Sequence, residues 1–152
     1  MSSVLSLRRP IRATGRAEQP LRRTPESGRA LAAACAIVAG ADGWPTDDER
    51  RQMVERLRLL ADSTRLDLEH VVRAFDRFLN ALIEDPETAE PVCMALIARL
   101  RSDPGQARAL LQACNAVAMA DGGYDEAERQ AVRRICRAVG VSAEEVGVAD
   151  AP

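Results

Sequence analysis

Two short stretches hold the residues with the most chemical promise. They are Ala41-Asp42-Gly43 followed by Glu49, and Ala120-Asp121-Gly122 followed by Glu128, with Asp47 and Asp125 inside the same windows. Helix capping accounts for most of these acids. Thr46-Asp47-Asp48-Glu49 and Asp125-Glu126-Ala127-Glu128 both have the spacing of a capping box, in which the glutamate three residues on accepts from the N–H of the cap. Gly43 and Gly122 suit the left-handed turn that ends a helix. Capping does not account for Asp42 and Asp121. Both fall at expected helix C-termini, where the macrodipole disfavours a negative charge by about 0.3–1 kcal/mol. An aspartate placed there asks for a cationic neighbour.

Other chemistry has little to work with. His70 is the single histidine, so a Ser-His-Asp or Cys-His centre would have to use it. It sits mid-helix beside Glu69 and Arg73 and reads as an exposed helix residue. There is no GxxxxGK[ST] phosphate loop, no GxGxxG after a strand and no HExxH, so nucleotide hydrolysis, dinucleotide binding and zinc proteolysis lack support. Cys35, Cys93, Cys114 and Cys136 fall within helical patterns without CxxC or CxxxH spacing. They are expected to be small, buried core thiols in a reducing compartment. No catalytic site and no enzymatic activity are expected.

The acids must be positioned by helices. At 152 residues the chain is one domain in size, rich in Ala, Leu, Val and Arg, and its propensity leans to helix. Residues 1–28 carry six arginines against Glu18 and Glu26, with three prolines breaking any periodicity, and read as a disordered basic tail. That segment is +4 in a chain whose total is −2, which leaves −6 on residues 29–152. The arginines lack aromatic partners for base stacking, so no nucleic-acid partner is expected. No apolar run reaches the ~18–20 residues that cross a bilayer, and no secretory leader is apparent, so a cytoplasmic location is expected.

Beyond the tail, apolar residues recur at helical spacing. Leu31, Ala34, Cys35 and Val38 form one stripe; Met53, Leu57, Leu60 and Ala61 a second; Leu68, Val71, Phe75, Phe78, Leu79 and Leu82 a third. Asp85-Pro86 and Asp103-Pro104 open helices near 86–101 and 104–120. A further helix runs from about 125 to 139 and stops at Gly140, and Ser142 with Glu145 opens a short seventh. A shift of 79 residues lays 31–50 on 110–129 with ten of twenty positions identical, including both Asp-Gly pairs and Glu49-Arg50 on Glu128-Arg129. The expectation is an all-α bundle of about six to seven helices, in which two helix, Asp-Gly loop, helix hairpins are related by a pseudo-twofold axis.

The repeated Ala-Asp-Gly…Glu stretches, the long central helix, the Asp-Pro helix starts and the Val139-Gly140-Val141 ending resemble the TerB-like (tellurite-resistance) family over residues 29 to about 146. The resemblance implies an all-helical bacterial protein of tellurium and stress-response systems, with a related domain in a membrane-anchored DnaJ-type cochaperone. It carries the role of oxygen ligand to a divalent metal onto Asp42, Glu49, Asp121 and Glu128, with Asp47 and Asp125 as helpers. The ion would be Ca²⁺, Mg²⁺, Mn²⁺ or Zn²⁺. Gly123-Tyr124-Asp125 stands where the first copy has Trp44-Pro45-Thr46, so the two loops need not bind equally. The function implied is a non-enzymatic, metal-responsive accessory role in stress resistance, with protein partners that include membrane-associated stress-system components. The alternative is a metal-independent module whose acidic face docks an Arg-rich partner.

Overall fold

The computed structural model describes residues 20–64, 66–119 and 124–148. Among these residues the chain forms six α-helices: α1 (Pro25–Ala39), α2 (Asp47–Thr64), α3 (Leu68–Glu84), α4 (Pro86–Ala98), α5 (Pro104–Met119) and α6 (Glu126–Val139). Single 3₁₀ turns follow α4 (Arg99–Ser102) and α6 (Ala143–Val146), and no strand occurs among the described residues. The architecture is the expected helical bundle. Its centre is α1, buried at every position from Ala30 to Val38. A helix apolar on all sides is stable only when surrounded. Here α3 and α4 cover it most broadly, with α5 and α6 completing the enclosure. The outer helices bury one stripe each: Val71, Ala74, Phe75, Leu79 and Leu82 on α3, and Ala131, Val132, Ile135, Cys136 and Val139 on α6. On the more polar α2, Leu57 is buried and Met53, Val54 and Leu60 pack against the core, while Leu59 faces solvent.

Local signals set the helix limits. The Asp85 carboxylate accepts from Thr88 N–H and that of Asp103 from Gln106 N–H, each at 3.3 Å, with Pro86 and Pro104 opening the first turn. Gly140 ends α6 in the left-handed conformation at φ 78°, which a side chain would strain. The helix expected over 86–101 is α-helical to Ala98 and tightens into the 3₁₀ turn through Ser102. Ser142 and Glu145 do form a capping box, but the expected seventh helix is one 3₁₀ turn.

Two expectations about the start of the domain and about His70 are revised. Packed chain begins before residue 28: α1 starts at Pro25, capped by the Thr24 hydroxyl, and Leu21 is buried. The buried Gln106 clamps this segment, its Nε2 donating to the Pro20 carbonyl at 3.0 Å and its Oε1 accepting from Arg22 N–H at 2.7 Å. Arg22 also pairs with Asp103 at 2.8 Å. The rest of the expected tail, residues 1–19, lies outside the described residues. His70 is half-buried rather than exposed, because Gly28 of α1 leaves room for its ring.

Candidate metal centre

The first Asp-Gly loop leaves α1 in a series of tight turns. Gly40 N–H donates to Ala36 C=O at 3.1 Å and Ala41 N–H to Val38 C=O at 3.2 Å, so the helix is closed before Asp42 is reached. Asp42 therefore stands three residues beyond Ala39, the last residue of α1, and escapes the helix-end repulsion expected of it. Two glycines make the loop. Gly43 has φ 125°, a conformation L side chains rarely adopt. A Cβ at Gly40 would lie 2.9 Å from Cζ3 of Trp44, whose indole folds back over the helix end. The loop then enters α2 through a complete capping box, with Thr46 N–H donating to Glu49 Oε1 at 2.9 Å and Glu49 N–H to Thr46 Oγ1 at 3.1 Å. Arg50 holds the start of α2 to α3 by a bond to Asn80 Oδ1 at 3.1 Å and an ion pair with Asp76 at 3.7 Å.

The second loop delivers its acids by the same device. Asp125 is the N-cap of α6: its Oδ1 accepts from Glu128 N–H at 2.7 Å, and its own N–H donates to Glu128 Oε1 at 3.0 Å. Tyr124 packs inward against the core, and its carbonyl accepts from Arg129. This brings Asp125 and Glu128 up to the first loop. One carboxylate oxygen from each of Asp42, Asp125 and Glu128 lies within 4.8 Å of the others, and no other such triad of His, Cys, Asp or Glu occurs among the described residues. The three line a cavity of about 310 Å³, shared with Trp44, Glu49 and Arg50.

Like charges this close disturb each other's ionisation. The hydrogen bond with Asp125, partial burial and the negative charge of Asp125 push Asp42 above the usual carboxylate range. Asp125 is held below that range, first by the bond from Asp42 and then by the Glu128 N–H. A cation between them would relieve the repulsion. The donor set contains only carboxylate oxygens, which suits hard cations such as Ca²⁺, Mg²⁺ and Mn²⁺, and lacks the imidazole or thiolate that zinc sites favour. Three carboxylates supply fewer oxygens than the six to eight Ca²⁺ takes, so water or carbonyl oxygens would complete the shell.

The structure thus brings together Asp42, Glu128 and Asp125, the last of which the sequence offered only as a helper. Glu49 borders the same cavity, with one oxygen committed to its cap. Asp47 is exposed and does not border it. Asp121, with Gly122, lies outside the described residues. Sequence reasoning passed over Arg50 and Arg56, which border the cavity and set basic charge beside the acids. The repeated Glu-Arg pair at 49–50 and 128–129 was the available signal.

Among curated proteins and among solved structures nothing matches the chain. A family model described as Tellurite resistance protein TerB matches residues 28–151, which takes in α2 to α6, nearly all of α1, and both acidic loops. The chain belongs to the TerB tellurite-resistance family.

Proposed function

We propose that this TerB protein is a non-enzymatic, metal-responsive accessory component of tellurite and stress resistance. In this reading Asp42, Asp125 and Glu128 hold one hard divalent cation, with Glu49 within reach. The observation that carries it is the convergence of three carboxylates from two separate loops to within 4.8 Å. Capping explains Asp125 and Glu128 individually, but nothing in capping requires Asp42 to meet them. Reading the two hairpins as copies of one ancestral unit extends the proposal: each contributes acids to a shared site, and an ion ties the end of α1 to the start of α6. The metal would then report on its own supply by tightening the bundle, and a partner would read that change.

A calorimetric titration of the metal-free protein with Ca²⁺, Mg²⁺, Mn²⁺ and Zn²⁺, followed in parallel by Trp44 emission, tests this. One equivalent of a hard ion with a change in emission is expected. No heat and no emission change with any of the four would remove the metal from the account. The second reading, an acidic face that docks an Arg-rich partner without metal, draws support from Arg50 and Arg56, which already set arginines beside these acids.

A further inference from the structure

Beneath the acidic cluster lies a second, smaller void of about 40 Å³, lined by Cys35, Cys114, Met53, Arg56, Val117 and Glu128 among others. Met53, Arg56 and Glu128 line both cavities, so the inner one adjoins the outer. Cys35 of α1 and Cys114 of α5 are both buried and free, and both line this void. The two other cysteines, Cys93 and Cys136, do not line this void. A void above about 10–15 Å³ holds one water-sized particle, and apolar cavities otherwise stay empty or collapse. Beside Arg56, Glu128 and three apolar side chains, its lining offers two thiols and a thioether, a ligand set that selects soft d¹⁰ cations over hard ones.

We propose that Cys35 and Cys114, with Met53 beside them, form a binding site for one soft monovalent cation, Cu(I) or Ag(I), seated in the inner cavity below the acidic cluster. The chemistry balances without an oxidant: one M⁺ and two thiols give a bis-thiolate complex of net charge −1 and two released protons. Arg56, which lines the cavity, supplies the compensating charge nearby. The neighbouring Cys114 and burial push the Cys35 thiol above its ordinary value, so an ion bound there must displace the thiol protons. The acids above give the entrance a negative potential that favours cations. The site does not rest on the oxygen-ligand reading, because it uses none of the three carboxylates as a ligand.

The experiment is a titration of the full chain with silver nitrate in chloride-free buffer, by calorimetry with proton release, together with silver-edge X-ray absorption on the wild-type complex. One tight equivalent, two protons released per ion and a sulfur-only first shell are expected. Cys35→Ser and Cys114→Ser, each checked for native helicity, should lose the tight equivalent, while Cys93→Ser retains it. Absence of tight binding, an oxygen or nitrogen first shell in the wild type, or a tight equivalent that survives both serine variants or disappears with Cys93→Ser would overturn the proposal. The absorption measurement needs no variant, so a serine protein that failed to fold would leave the test intact.

Discussion

Replacing Asp42 by Asn should stabilise the metal-free protein. The carboxylate oxygens of Asp42, Asp125 and Glu128 lie within 4.8 Å of one another. All three are at least partly exposed, so screening is close to that of water, where each pair of unit charges at that distance repels by about 0.9 kcal/mol. The Asp42→Asn substitution removes two of the three repulsions, and the new amide donates an N–H to Asp125. The gain is about 1–2 kcal/mol at pH 8, a rise in Tm of about 2–8 °C for a domain of this size. Its pH dependence has a fixed sign. The folded-state pKa of Asp42 is raised, so the stability it confers is fully present below its unfolded pKa and is lost as pH rises through the folded value. The wild type should therefore lose stability relative to Asp42→Asn from about pH 4 upward, through the raised range, and the two should converge below it. Thermal melts in chelator from about pH 3.5 to 8, a span that brackets the ordinary and the raised carboxyl range, measure this. A Tm for the variant equal to or below the wild type at the upper end of that span would refute the repulsion on which the metal site depends.

Gly43→Ala forces a side chain into φ 125° and should destabilise the protein by about 1–3 kcal/mol, read by chemical denaturation. Truncation to a chain beginning at Pro20 should leave the melting curve unchanged. One beginning at Ser27 loses the Leu21 contact and both bonds of the buried Gln106 amide to Pro20 and Arg22, at a cost of about 1–3 kcal/mol for the amide alone. Equal melting of the two truncated chains would show that the clamp contributes nothing. Tyr124 buries a hydroxyl with no hydrogen-bond partner among the described residues, so Tyr124→Phe should be neutral or stabilising by up to about 1–3 kcal/mol, and a clear drop in Tm would contradict that geometry.

The parts of this fold legible in the sequence are those decided within four residues. Asp85-Pro86, Asp103-Pro104, Gly140 and the Thr46, Asp125 and Ser142 boxes each act through neighbours at i+3 or i−4, and each stands where its spacing placed it. The misses depend on distant partners. Leu21 is packed because Gln106, 84 residues from Arg22, accepts that segment's N–H, and no local pattern announces it. His70 is half-buried because a glycine on another helix leaves space. The site divides the same way. Its acids could be named from the repeat, but which of them meet is set by how the start of α6 abuts the loop after α1. That packing promotes Asp125 into the cluster and leaves Asp47 facing solvent. Cys35 and Cys114 share a place in the 79-residue offset, although only the packing of α1 on α5 sets both on one cavity.

Whether Asp42 and Asp125, with Glu128, bind a divalent cation is decided by comparing the wild type with the Asp42→Asn, Asp125→Asn double variant, since Asn remains a good N-cap and α6 keeps its start. Melting curves are recorded in chelator and then with Ca²⁺, Mg²⁺ or Mn²⁺ at a hundredfold excess over the dissociation constant found for the wild type. Linkage predicts that the wild type gains about 2.7 kcal/mol and the double variant gains nothing. A wild type whose Tm does not respond to any of the three ions, or a double variant that gains as much as the wild type, would mean that these carboxylates hold no metal.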